Sequence, residues 1–276
     1  MFFTFKYRGH FDVAPVHGLR FCVPDTPFDF SASTFRVATY NIHKGVQGIG
    51  PARRLEIHNI GHAVEQLDAD VVCLQEVRKM HRTEEKYFKR WPELPQADFL
   101  APEGYESVYK TNAVTQHGEH GNALLSRWPV VTHQHEDMSD HRLEQRGLLH
   151  VELQVHDRLV HVIVVHLGLI PASRVRQVMQ LLEFISREVP PQAPVLVAGD
   201  FNDWGGRVGR MMQTGGLTEW SQARVPTYPS RLPMAQLDHV YARGLRPVGL
   251  MVPRGRIWRQ MSDHLPLIAE FHFDGA

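Results

Sequence analysis

Carboxylates, carboxamides and imidazoles recur where the apolar runs of this sequence end. Asn41 follows Phe35–Tyr40, Glu76 follows Val71–Leu74, His166 closes Leu159–His166, and Asp200 and Asn202 follow Pro194–Gly199. Asp238 stands in Leu237-Asp238-His239-Val240, and Asp263 and His264 come just before Leu267–Phe273. A single Asp or Asn at such a place is ordinary turn chemistry, because these side chains bond their own backbone at strand exits. A set of four carboxylates, two carboxamides and two histidines, all at strand ends, asks for more. Hard oxygen donors of this kind suit Mg²⁺ or Mn²⁺, whereas a zinc centre would want Cys or several His. A carboxylate beside such a cation can align a water and take its proton.

The elements that must carry these residues repeat. Phe35–Tyr40 reads as a strand, Arg53–Leu67 as a helix with Ile57, Ile60, Val64 and Leu67 on one face, and Val71–Leu74 as a second strand. Leu159–His166 begins a second unit. Ser173 is placed to cap a helix whose apolar face is Val175, Val178, Leu182, Ile185 and Val189; Pro190-Pro191 stops it, and Pro194–Gly199 is the next strand. Leu148–Val155 alternates like a strand and is expected to form a hairpin with Leu159–His166 through His156-Asp157. Leu237–Ala242 and Leu267–Phe273 are the last strands. Two α/β units with added hairpins imply two sheets packed face to face with helices outside. In such sheets, residues at strand ends meet in one crevice.

Composition narrows the function. The 276 residues carry 30 basic and 30 acidic side chains, so a generally basic nucleic-acid binder is not expected. The two cysteines, Cys22 and Cys73, exclude a disulfide framework and fit a reducing compartment; Cys73, inside Val71-Val72-Cys73-Leu74, reads as a buried free thiol. No apolar run is long enough for a transmembrane helix, and the N-terminus lacks the pattern of a signal peptide. The 18 histidines, dense between His117 and His166, follow no zinc spacing and are expected at the surface or in loops. Residues 1–34 read as an irregular extension and 35–274 as one catalytic domain.

The segments Ala38-Thr39-Tyr40-Asn41-Ile42-His43, Leu74-Gln75-Glu76-Val77, Gly121-Asn122-Ala123-Leu124-Leu125-Ser126-Arg127, Val165-His166-Leu167, Gly199-Asp200-Phe201-Asn202, Leu237-Asp238-His239 and Ser262-Asp263-His264 occur in one order. In that order the chain resembles the endonuclease/exonuclease/phosphatase superfamily of DNase I-like, metal-dependent phosphodiesterases. The resemblance runs from Phe35 to Phe273. It implies a four-layer α/β sandwich of two packed mixed sheets. It implies Glu76 as main metal ligand, with Asn41 and Asp263 close to the metal, which would be Mg²⁺ or Mn²⁺. Asp200 and Asn202 are implied to orient or activate the attacking water and hold the phosphate. His264 is implied to face the phosphorus with Asp238 as its orienting carboxylate, and His166 and Arg146 to donate to phosphate oxygens. Asp200 and His264 both stand as candidates for the general base.

The substrate reading rests on charge. Between Trp204 and Ser262 nine arginines face only Glu219 and Asp238, a net charge of +7 in a neutral chain. That segment suits an anionic surface, either nucleic-acid backbone or phospholipid headgroups. Members that cut DNA at abasic sites carry a Trp-rich segment where this chain has Thr227-Tyr228-Pro229-Ser230-Arg231-Leu232-Pro233, which argues against that activity. The expectation is a nuclease first, with a phospholipid phosphodiesterase or a small phosphate-ester phosphatase as alternatives, and a non-catalytic anion-binding scaffold as the other class. The location expected is the cytoplasm, free or peripheral at a membrane. The sequence points to no protein partner.

Overall fold

In the computed structural model, residues 34–142, 144–219 and 224–273 are described. Cys22 and residues 1–33 of the expected N-terminal extension lie outside them, while Thr34 opens the first strand. Along Thr34–Asn41, the first strand β1, successive side chains go to opposite faces: Phe35 and Val37 join one apolar cluster, Ala38 and Tyr40 another. That period of two makes the strand a wall between two cores.

The chain continues through β2 (Val46–Gln47), β3 (Arg54–Leu55), α1 (Ile57–Leu67), β4 (Val71–Val77), α2 (Arg82–Tyr87), α3 (Gln96–Leu100), β5 (Glu106–Val114), β6 (Glu119–Ser126) and β7 (Val130–Asp137). It goes on through β8 (Gly147–Val155), β9 (Arg158–His166), α4 (Pro171–Glu188), β10 (Val195–Asp200), α5 (Arg207–Thr214), β11 (Asp238–Arg243), β12 (Leu245–Met251), α6 (Trp258–Met261) and β13 (Leu267–Phe273). One mixed sheet has the order β12-β13-β1-β4-β6-β5, the other β11-β10-β9-β8-β7.

Val37, Val71, Cys73 and Leu124 of the first sheet pack against Leu149, Val151, Val162 and Leu196 of the second. Outside the first sheet, Ile57, Ile60 and Val64 of α1 cover Tyr40 and Val72. Outside the second, Val178, Leu181 and Phe184 of α4 cover Ile163 and Val197. This is the four-layer α/β sandwich. Each fully buried aliphatic side chain contributes about 1.5–3 kcal/mol of transfer free energy.

Two units position the site. β1 and β4 are parallel and joined through α1; β9 and β10 are parallel and joined through α4. Asn41 at the end of β1 bonds to Asp200 at the end of β10, so both pairs finish at the same edge. The hairpin of β8 and β9 turns through His156-Asp157 as expected, with His156 at φ 53°.

Several expectations need correction. The first helix begins at Ile57, because Arg54–Leu55 are drawn into a ladder with Val46–Gln47. Ser173 does not cap α4: Ile170 occupies that place, Pro171 opens the helix, and the buried Ser173 hydroxyl donates to Asp140 at 2.6 Å. The face of α4 is centred on Gln177, Val178, Leu181, Phe184 and Ile185, with Val175 and Leu182 at its edges. His150, His161 and His166 are buried, against the surface expectation, while His133 and His135 lie on the exposed strand β7. No helix among the described residues is long and apolar enough to cross a membrane.

Candidate active site

The backbone is bent where the chemistry gathers. Among the described residues six non-glycines have positive φ, and four of them are His43, Lys44, Glu76 and Asn202. For L-residues this conformation costs energy, and it concentrates where structure is spent on placing side chains. Glu76, at φ 57°, sits at the register shift of β4 against β6 between Leu74 and Val77. A bulge of this kind re-aims a side chain at a strand end. Gly199, before Asp200, has no room for a Cβ, which would stand 1.9 Å from the Val165 carbonyl oxygen of β9.

Asp200 is the hub. One oxygen, Oδ2, takes a hydrogen bond from Asn41 Nδ2 at 3.2 Å and faces Nε2 of His166 and Nε2 of His264, each at 3.5 Å. The other, Oδ1, accepts from the Asn202 backbone N–H at 3.0 Å. Asn202 in turn donates its Nδ2 to the Leu167 carbonyl at 3.0 Å, tying the ends of β9 and β10 together. Behind His264, Nδ1 donates to Asp238 Oδ2 at 2.8 Å, and Asp238 pairs directly across the β10–β11 ladder with Asp200. Asp238 Oδ1 is buried and without a partner among the described residues. The Tyr228 ring lies 4.9 Å from the His264 ring.

These contacts set the charges. Burial alone would lower the His264 pKa, but the Asp238 and Asp200 carboxylates outweigh it and push it up to about 10. His264 is therefore an imidazolium at neutral pH. His166 goes the other way: burial first, then the Arg146 guanidinium, bring it down to about 4, so it is neutral. Burial raises Asp200, against the opposing pull of the two histidines. Arg146 also reaches Glu144 at 3.2 Å, and its Nε is buried without a partner.

Glu76 and Asp263 flank this cluster, each with a basic side chain of its own. Lys44 Nζ donates to Glu76 Oε2 at 2.6 Å, and His43 Nδ1 is 3.3 Å from Asp263 Oδ1. Burial would raise Glu76, but the Lys44 ammonium holds it well below the usual carboxylate range. Burial would likewise raise Asp263, and the His43 hydrogen bond holds it low. Ser262 Oγ donates to the Asn41 carbonyl at 2.6 Å, joining the Asp263 loop to the end of β1. The structure thus brings Asn41, Glu76 and Asp263 to one edge, two of them ionised carboxylates and all three hard oxygen donors, which fits Mg²⁺ or Mn²⁺. Glu76 already draws the Lys44 ammonium, and Asp263 the His43 ring, whose pKa its hydrogen bond raises.

Sequence reasoning missed Lys44, His43 as the partner of Asp263, and Tyr228. Lys44 carried a readable signal: a lone cation three residues beyond the strand-end Asn41, ahead of a glycine. The arginine-rich segment does not act as one surface. Arg243, at the far end of β11, donates to the Pro190 carbonyl, whereas Arg231, Arg254 and Arg256 lie on loops, and Arg259 on α6, leading to Asp263.

The endonuclease/exonuclease/phosphatase family profile matches residues 38–264. Among curated proteins, "Uncharacterized protein YbhP" of Escherichia coli strain K12 is 37% identical over 258 residues, covering 91% of this chain and 100% of that protein. Among solved structures, an endonuclease/exonuclease/phosphatase from Beutenbergia cavernae superposes with a TM-score of 0.71 at 22% identity, covering 88% of this chain and 72% of the other. The human Nocturnin catalytic domain with bound sulfate superposes with a TM-score of 0.63 at 20% identity, covering 87% of this chain and 95% of the other.

Proposed function

Because the chain belongs to the endonuclease/exonuclease/phosphatase family, a hydrolytic superfamily, we propose that it is a Mg²⁺- or Mn²⁺-dependent hydrolase of phosphodiester bonds. The observation that carries this reading is the shared carboxylate of Asp200, held by Asn41 and faced by a neutral His166 and a cationic His264. Glu76, Asp263 and Asn41 would hold the metal ion. When bound, that ion supplies Lewis-acid stabilisation of negative charge on the phosphoryl group.

The residues divide the rest of the work. Asp200 aligns the attacking water and takes its proton as the oxygen bonds to phosphorus. Asp200 fills this role and His264 does not, because His264 already carries its proton. Asp238 fixes the His264 tautomer and keeps the ring charged, so that Nε2 faces the phosphoryl oxygens as a cation. His166, Asn202 and Arg146 hold the remaining oxygens by hydrogen bonds. The P–O bond to the leaving group breaks, and the released alkoxide is protonated by solvent.

The catalytic unit on this reading is residues 35–274. The buried free thiol of Cys73 suits a reducing compartment, in keeping with the cytoplasm or its membrane surface. A nucleic acid and a phospholipid headgroup both present the bond this site would cleave. The test is hydrolysis of bis-p-nitrophenyl phosphate by metal-stripped protein. Activity should appear with Mg²⁺ or Mn²⁺ and vanish with EDTA. Equal rates with and without EDTA, or no activity with either metal, would refute the reading.

A further inference from the structure

The loops that bring the candidate catalytic residues together end in side chains that face water. Leu169 is 65% exposed, Trp204 61%, Leu232 67%, Met234 71% and Ile257 58%. All five lie within a few residues of the site. Leu169 follows Leu167, whose N–H bonds to the Asp200 carbonyl and whose carbonyl accepts from Asn202. Trp204 stacks edge-on to Tyr228 at 5.7 Å, and Tyr228 touches the His264 ring. Leu232 and Met234 are in the turn where Ser230 N–H bonds to the Asp263 carbonyl. Ile257 opens α6, which leads to Ser262 and Asp263.

Four arginines alternate with these tips. Arg231, Arg254, Arg256 and Arg259 are exposed, and none forms an ion pair among the described residues. The molecule is neutral as a whole, so this free positive charge is local. The mixture is selective. Nucleic acid without sequence preference is held by basic grooves interleaved with aromatic rings on which bases stack. Here four of the five exposed tips are aliphatic and offer no stacking face. Aliphatic tips beside unpaired arginines instead match a bilayer surface, where the apolar ends leave water and the guanidinium groups meet anionic headgroups.

We infer that the rim of the site docks on an anionic lipid surface, so that the phosphodiester it receives belongs to a membrane phospholipid. The substrate half of this inference rests on the hydrolase reading above; the docking half does not. Binding therefore tests it separately from activity. The 276-residue chain is sedimented with vesicles of phosphatidylcholine alone and of phosphatidylcholine mixed with phosphatidylglycerol. Binding to the mixed vesicles should be at least about tenfold tighter and should weaken as salt rises. Leu232→Ser with Ile257→Ser, and Arg254→Ala with Arg256→Ala, should each lower it severalfold. Both double variants should hydrolyse bis-p-nitrophenyl phosphate as the wild type does. Docking that persists in a protein without hydrolase activity would support the surface and refute only the reaction. Absent or equal binding to the two vesicles would overturn the inference. So would tight binding of single-stranded DNA that displaces the vesicles and is unchanged in Leu232→Ser/Ile257→Ser.

Discussion

Asp238 acts on the reacting atoms chiefly through His264, since their 2.8 Å bond is its one side-chain hydrogen bond in the cluster, and its charge acts on Asp200 only through space. Its loss and the loss of the imidazole should therefore not add. Asp238→Asn and His264→Ala are each expected to slow turnover, and the double variant should be about as slow as His264→Ala alone. Steady-state rates for the four proteins check this; a double variant slowed by the product of the single losses would make the residues independent. Glu76 acts on the metal side. Glu76→Gln keeps the shape of the side chain and removes the charge held by Lys44. It is expected to lower the rate at saturating Mg²⁺ by about 10²-fold or more with the fold retained, since the carboxamide oxygen still accepts from Lys44. Isothermal titration with Mn²⁺ should show the same variant binding metal more weakly. Most of the site was legible at this scale because its members flank apolar runs: Asn41, Glu76, His166 and Asp200 where a strand stops, Asp238, Asp263 and His264 where one begins. The pairing of Lys44 with Glu76 and of His43 with Asp263 was not, because it depends on two consecutive left-handed residues that fold the chain back onto these carboxylates.

At the scale of elements, the two βαβ units were readable from period and punctuation. The strands between them were not. β5, β6 and β7 carry mixed polar and apolar residues, and the pattern of β6 is nearly all buried without alternation. Asn122, in β6, shows what this hides. It is fully buried, and its Nδ2 donates across the sandwich to the Gly147 carbonyl at 3.0 Å and the Val164 carbonyl at 3.2 Å. The side chain joins the first sheet to β8 and β9, close to the turn into the Arg146 loop. Asn122→Ala is expected to cost about 1–3 kcal/mol, because a cavity and weakened carbonyl bonding are left in a buried interface. Urea unfolding of the variant measures this; a loss under about 0.5 kcal/mol would mean that the bridge adds nothing to the packing of the sheets.

For the whole molecule, the buried His150–His161 pair gives stability a pH dependence of its own. His150 Nε2 and His161 Nδ1 share a hydrogen bond of 2.9 Å between β8 and β9. The two-residue turn at His156-Asp157 already sets Glu152 opposite His161, so this neighbourhood could have been read from turn length alone. Burial, then the His161 charge, lower His150 to about 4, below the ordinary imidazole value near 6.5. With the folded pKa depressed, the unfolded chain binds the proton first. The contribution of a neutral His150 is thus fully present above about pH 6.5 and is lost as pH falls towards 4, by about 1–2 kcal/mol between pH 7 and pH 5. Replacing His150 with Gln should lower stability at pH 7 and flatten that slope, read from unfolding curves at both pH values; an unchanged slope would place the titration elsewhere. The molecule's central chemistry, attack of water on phosphorus with Asp200 taking the proton, has its own direct test. Hydrolysis of bis-p-nitrophenyl phosphate in ¹⁸O-labelled water with Mg²⁺ or Mn²⁺, followed by ³¹P NMR, reads both bond and rate. The wild type should place one labelled oxygen in each released phosphomonoester, and Asp200→Asn should do so at least about 10²-fold more slowly. Label found in the p-nitrophenol, or an Asp200→Asn rate within about tenfold of the wild type, would contradict the account.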